Sequence, residues 1–160
     1  MYAYARDPQT SRYLLWEPHT SPLVTQNHLE YLQRQYRRCA FFDWALVEKE
    51  SGKMIGTCGF TQIYESKKEA EVGYVIAPSH QRRGFAPEAL REVMRYGFER
   101  LGFLLLEAHV MEGNEASRIV LERLGFQKEE YSGATFYKRG KKERILTFVL
   151  PVERYHKMQE

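Results

Sequence analysis

The chain predicts an α/β fold: a mixed sheet with helices on both faces. Two observations carry that expectation. β-Branched and aromatic runs alternate with segments whose apolar residues recur every three or four positions, and no internal repeat or low-complexity linker interrupts the alternation. With 160 residues, 43% hydrophobic and 14% aromatic, the chain can bury one core and is short for two, so residues 1–160 read as a single domain.

Taken in order, Tyr2 to Arg6 and Gln9 to Leu15 read as short helices. Ser21-Pro22 opens a longer one over Thr25 to Arg38, which presents Leu29, Leu32 and Tyr36 on one side. Phe41 to Glu48 and Met54 to Ile63 then read as strands joined through the turn-forming cluster Glu50-Ser51-Gly52-Lys53, a hairpin signature. Glu69 to Ile76 adds a strand, Ala86 to Arg100 a helix, Leu104 to Val110 a strand and Asn114 to Leu124 a helix. A closing strand pair, Thr135 to Lys138 and Arg144 to Leu150, turns at Arg139-Gly140-Lys141.

The most informative segment is Gln81-Arg82-Arg83-Gly84-Phe85-Ala86, between the strand ending at Ile76 and an amphipathic helix carrying Leu90, Val93, Met94, Gly97, Phe98 and Leu101. The first N–H groups of a helix have no partner inside it, and their dipoles sum to a partial positive charge, so a diphosphate suits that end. Gly84 lets backbone approach phosphate oxygens and take a positive φ; Pro87, near the first helical position, sacrifices no hydrogen bond. Arg82 and Arg83 add charge in a form that can bond phosphate through two parallel N–H groups. An ordinary strand-to-helix turn with exposed arginines is the plainer alternative.

The wider series resembles the GNAT superfamily of acyl-CoA N-acetyltransferases. Its pyrophosphate loop has Gln or Arg, two variable residues, Gly, one variable residue, then Gly or Ala; Gln81, Gly84 and Ala86 match. Leu104 to Val110, Asn114-Glu115-Ala116-Ser117, and Arg118 to Leu124 ending in Gly125-Phe126 follow in the family's order. Glu71-Val72-Gly73-Tyr74 and the spacing from Asn114 to Ser117 look most like the branch that acetylates protein N-termini, ribosomal proteins among them. The resemblance spans roughly Met1 to Pro151. It implies a mostly antiparallel sheet splayed between two strands, with acetyl-CoA as the acyl donor. Relatives generally carry a further strand before the first helix, so the resemblance implies that here the strand is missing or the start is misplaced. Its loss would leave Phe41 to Glu48 nearer the sheet edge, where a second copy could pair, so a homodimer is an expectation.

Acetyl transfer needs a neutral amine, an oriented thioester, help for the carbonyl oxygen and a proton for the leaving thiolate. The resemblance implies that N–H groups around Tyr74, Val75 and Ile76 hold the pantetheine arm, and that the loop from Gln81 through Arg82, Arg83, Gly84 and Phe85 to Ala86 holds the diphosphate. Glu71 matches the position of a general base in some relatives, acting directly or through water, ahead of Glu107 and Glu112. Asn114 reads both as a helix N-cap and as a pantetheine contact. Ser117 is a candidate donor of the thiolate's proton, because the tyrosine many relatives carry four residues before Gly-Phe is Leu121 here. Trp16, Glu17 and His19 fall where the family places acceptor-binding loops, though each also has a structural reading as core or surface.

Neutralising an α-amine of pKa about 8 at pH 7 costs ~1.4 kcal/mol, against ~4.6 kcal/mol for a lysine amine, so a protein N-terminus is the less demanding acceptor. A small amine such as a polyamine, amino acid or drug is the second reading, and a non-catalytic acyl-CoA-binding module the third. Cys39 and Cys58 lack metal-ligand spacing, so no metal site or disulfide framework is expected. No stretch approaches the roughly 20 apolar residues of a membrane span and Met1 to Asp7 has no signal character, which points to the cytoplasm. A net charge of +3 suits phosphate ligands without requiring nucleic acid, and the basic run Lys138, Arg139, Lys141, Lys142 and Arg144 reads as a solvated face or a contact for the CoA 3′-phosphate or RNA.

Overall fold

The computed structural model describes residues 1–38, 41–130, 134–138 and 140–160; Cys39 and Arg139 lie outside the described residues. Three helices come first: α1 (Tyr2–Ala5), α2 (Pro8–Ser11) and α3 (Pro22–Arg37). They are followed by β1 (Phe42–Val47), β2 (Met54–Tyr64), β3 (Glu69–Ile76), α4 (Phe85–Arg95), β4 (Leu105–Met111) and α5 (Glu115–Arg123). The chain closes with β5 (Gln127–Lys128), β6 (Thr135–Lys138), β7 (Lys141–Pro151) and α6 (Val152–Lys157). The strands run in the order β1-β2-β3-β4-β7-β5, with β6 paired to β7. Every pairing is antiparallel except β3 with β4. That is the expected mixed, mostly antiparallel sheet.

The parallel pair is also the shortest contact between long strands. It holds for Glu69↔Leu105, Ala70↔Leu106 and Glu71↔Glu107, and then ceases, although β3 continues to Ile76 and β4 to Met111. Beyond Glu71 the inner edge of β3 therefore has no ladder partner on β4, and the sheet forks. Next to the fork, β2 carries one extra residue, Thr61, between the pairs Phe60↔Val72 and Gln62↔Glu71. Such a bulge increases local twist and re-aims neighbouring side chains.

One face of the sheet carries the main core. Phe60, Ala70, Val72, Leu106, Ala108, Val110, Phe148 and Leu150 pack there against Leu90, Val93 and Met94 of α4, Leu121 of α5 and Tyr155 of α6. Gly97 admits this packing, since a Cβ there would sit 2.9 Å from the Phe60 ring, and Phe60 meets Phe103 edge-on at 5.2 Å. At this glycine the expected single helix over Ala86 to Arg100 changes form: α4 ends at Arg95 and a π-helical turn continues over Tyr96–Arg100. On the opposite face a smaller cluster of Tyr4, Ala5 and Ala77, flanked by Trp16, Met54 and Val75, seats the N-terminal helices.

In α3 the inner line runs through Thr25 and Leu32, and Leu29 is exposed, contrary to the expected face. Ser21 caps the helix by accepting from Val24 N–H, so it begins at Pro22, three residues before the expected start. No helix among the described residues is long and apolar enough to cross a membrane.

Candidate active site

The loop between β3 and α4 is held by its own polar groups. Gln81 Nε2 donates to the Ile76 carbonyl at 3.0 Å, so its side chain ties the loop to the end of β3. Arg83 pairs with Glu48 at 2.9 Å and lies over the Phe85 ring at 4.9 Å. Arg82 has no ion-pair partner among the described residues. Its φ of 61° and the 85° of Gly84 put alternate residues in the left-handed region, which turns successive N–H groups inward to form an anion-binding concavity. Gly84 is the N-cap of α4 and no side chain caps that end. Nothing lies within 4 Å of where a Gly84 Cβ would be, so the approach is open. Uncapped donors, an open approach and an arginine without an internal partner fit a diphosphate.

The fork begins about one strand length from this loop. Its far wall is the start of α5, where Asn114 Oδ1 accepts from Ser117 N–H at 3.3 Å. The expected competition between capping and ligand binding at Asn114 dissolves on this geometry: the cap uses the carbonyl oxygen and leaves the amide nitrogen as a donor. Tyr74 reaches across the fork, its hydroxyl 2.8 Å from Ser117 Oγ. Burial pushes the Tyr74 phenol up to about 12, against the Ser117 hydrogen bond, which lowers it. Leu121, where the family resemblance leads one to expect a tyrosine, is buried in the core.

On the other face of the sheet, where the β3–β4 pairing ends, Glu71 Oε2 lies 3.1 Å from His109 Nδ1. Burial raises the Glu71 carboxyl, but hydrogen bonds from His109 and Thr61 more than offset this and leave it below the usual carboxylate range. The same bond to Glu71 raises the His109 imidazole above 6.5, opposed by burial and aided by the charges of Glu71, Glu107 and Glu129. Ligand atoms of Glu71, Glu107 and His109 lie within 4.8 Å of one another, so two carboxylates crowd the imidazole. Sequence reasoning missed His109 because it read only as part of a strand. Its signal was the parallel register of Glu71 with Glu107, which brings residue 109 alongside β3.

Of the three residues expected near the acceptor, Trp16 packs beside Val75 and Ala77 at the fork half of β3, and Glu17 is exposed. His19 is buried: its Nδ1 is 2.7 Å from Thr25 Oγ1, its ring stands 5.3 Å from Trp16, and its N–H donates to the Ala5 carbonyl at 2.9 Å. Burial lowers its pKa. The basic run departs from the expected solvated face at Lys138, which is buried. Its Nζ donates to the carbonyls of Ser11, Arg12 and Leu14, just past the end of α2, where the Ser11 carbonyl also accepts from Leu14 N–H at 3.1 Å. This lysine therefore fastens β6 to the N-terminal segment, and α2 ends at Ser11 where a helix to Leu15 was expected. Arg144 pairs with Glu112 at 3.2 Å.

Comparison with known proteins gives a consistent family. The profile described as Acetyltransferase (GNAT) domain matches residues 1–127. An uncharacterized N-acetyltransferase, YoaA, of Bacillus subtilis (strain 168) is 39% identical over 97 residues, 61% of this chain and 55% of that protein. The [Ribosomal protein uS5]-alanine N-acetyltransferase of Escherichia coli (strain K12) is 28% identical over 123 residues, 73% of this chain and 63% of the enzyme. The chain thus spans somewhat over half the length of these two relatives. Among solved structures, spermidine N-acetyltransferase from Vibrio cholerae in complex with CoA and spermine superposes with a TM-score of 0.84 at 21% identity, covering 97% of this chain and 89% of that one.

Proposed function

Because the chain belongs to the GNAT acetyltransferase family, we propose that it moves an acetyl group from acetyl-CoA to a primary amine by direct attack in a ternary complex, with a protein N-terminal α-amine as acceptor. The observation that carries this reading is the fork: β3–β4 pairing stops at Glu71↔Glu107 and leaves the rest of the β3 edge without a ladder partner on β4. An extended pantetheine arm can pair with that edge as an added strand would, through the backbone of Tyr74, Val75 and Ile76 and the amide of Asn114. The diphosphate then falls on the α4 N-terminus between Gln81 and Ala86, with Arg82, Arg83, Gly84 and Phe85 around it.

Chemistry follows from that pose. N–H groups of the β3 edge polarise the thioester carbonyl, the Glu71–His109 pair takes the amine's proton, and Ser117, hydrogen-bonded to Tyr74, supplies the thiolate's. Trp16 and Glu17 line the acceptor's approach, while His19 acts there only by buttressing Trp16. The α-amine is favoured because its neutral form at pH 7 costs ~1.4 kcal/mol, against ~4.6 kcal/mol for a lysine-type amine. The E. coli relative, named for acetylating a protein's terminal alanine, supports the same acceptor.

A polyamine is the second reading, supported by the negative charge of Glu71, Glu107 and Glu129 about His109. A cytoplasmic setting and self-association through β1, which ends the sheet order and exposes Trp44 and Val47, complete the proposal. Thiol release from acetyl-CoA is the test. Turnover with short peptides bearing a free N-terminus and none with spermidine is expected; the reverse selects the polyamine. CoA binding by calorimetry without release on either would leave a non-catalytic acyl-CoA module, and no CoA affinity would overturn the assignment. A strictly monomeric mass by light scattering would remove the β1 pairing.

A further inference from the structure

We propose that His109 is the group that receives the acceptor amine's proton, and that Glu71 is its positioning partner. This rests on the acetyl-transfer reading and specifies its proton acceptor. β4 carries His109 two residues past Glu107, the last residue paired to β3. Continuing that register brings it level with Gly73, whose missing side chain makes room for the Thr61 methyl, 2.7 Å from where a Cβ would stand. The ring is therefore at the point where the sheet opens, on the face opposite α4 and α5, and its side chain is 34% exposed.

The hydrogen bond fixes which nitrogen can act. A carboxylate only accepts, so Nδ1, 3.1 Å from Glu71 Oε2, carries the hydrogen and Nε2 holds the lone pair. Glu71 itself suits the task poorly. Its Oε2 is engaged by His109, and hydrogen bonds from His109 and Thr61 keep its carboxyl below the usual range despite burial. An α-amine titrates near 8, and each unit separating it from the acceptor costs tenfold in transfer equilibrium. An imidazole whose pKa the Glu71 hydrogen bond raises stands closer to such an amine than a carboxyl held below its usual range.

The groups facing His109 all favour its protonated product. They are Glu71 on β3, Glu107 on β4 and Glu129 after β5. Tyr64 on β2 stands near the same carboxylates, and Thr147, opposite His109 on β7, is neutral. In the step, the amine nitrogen bonds to the thioester carbon, its N–H proton moves to Nε2, and the C–S bond breaks as the tetrahedral carbon collapses. The thiolate takes one proton from Ser117, which is reprotonated from solvent, and the imidazolium releases its proton to solvent. Atoms and charge balance with no further reactant.

Three measurements test this. In the wild-type protein, NMR titration of His109 should give a pKa above 6.5, and the acid limb of kcat/KM for acetyl-CoA and a peptide with a free N-terminus should follow it. Glu71→Gln should lower both by about a unit or more, with Glu71→Asp partly restoring them. His109→Gln, and independently His109→Asn, should lower kcat/KM about 100-fold and remove that limb, leaving the CoA dissociation constant within two-fold. The assignment is overturned if His109→Gln keeps kcat/KM within two-fold with the limb intact, or if the His109 titration does not move in Glu71→Gln. Calorimetry with CoA on the wild-type protein reports separately: absence of affinity there defeats the acetyl-transfer reading, whereas retained affinity with an unchanged limb defeats only the role of His109.

Discussion

On the α4 side of the fork, everything from Glu71 to Ala86 is contiguous in sequence and offers mostly backbone: a strand edge, a left-handed turn and an uncapped helix end. On the side of the N-terminal segment, residues far apart in the chain meet through side chains. Lys138 bonds the carbonyl of Ser11 across 127 positions, and His19 holds Thr25 beneath Trp16. The difference teaches that one wall is specified by local conformation, which tolerates side-chain change but not a change in allowed φ. The other is specified by a few polar anchors whose loss would loosen a whole segment.

That contrast can be broken most forcefully at Lys138. Removing its ammonium takes a charged donor from the carbonyls of Ser11 and Leu14 and leaves Ser11 only the Leu14 N–H, so Lys138→Met should cost about 2–3 kcal/mol. For a domain of this size the melting temperature should fall by roughly 5–10 °C in calorimetry. CoA affinity should stay within two-fold; a comparable loss of CoA binding would show the two walls to be one unit.

Gly84→Val probes the other wall. A β-branched residue at φ 85° is strained even with open space around it, at a cost of about 1–3 kcal/mol. CoA binding should weaken about tenfold as the turn relaxes out of shape, a loss that Lys138→Met does not produce. Unchanged CoA affinity would mean that the backbone of the turn is not the anion cradle.

A smaller effect should follow from Tyr74→Phe, which removes the bridge to Ser117 across the fork for about 1 kcal/mol of stability. Ser117→Ala should cost about as much, and the double variant little more than either, since both delete one bond. Additive losses in urea titrations would show that the two hydroxyls act independently.

The least effect is expected from acid. Burial lowers the pKa of His19 and His28 below 6.5, with the charge of His19 adding to the shift at His28. A histidine depressed in the fold contributes stability above its unfolded pKa and loses it as pH falls through the folded value. Melting temperature should therefore drop from pH 7 to 5, and His19→Gln should reduce that slope. The opposite sign is expected of His109, whose contribution is full below 6.5 and fades as pH rises through its raised value. A melting profile indifferent to His19→Gln would remove the N-terminal segment as the acid-sensitive part.

What could be read without coordinates follows the same divide. β3 coincides with its expected bounds, and the Gly84 turn and the Asn114 cap were visible because each is decided by a handful of neighbouring residues. Lys138 read as one charge in a surface run, since nothing near it in sequence points to Ser11. His109 and the phenol of Tyr74 read as strand residues, because their partners lie on another strand and another helix. The two-residue β5 and six-residue α6 are too short to carry a period.

The Lys138 anchor also turns a modification site into a clock. A buried ammonium donating to carbonyls is beyond the reach of amine-acylating reagents until the segment detaches, so its rate of covalent labelling counts local openings. For a protein proposed to acylate amines, enclosing this one also shields its own clasp from the product chemistry.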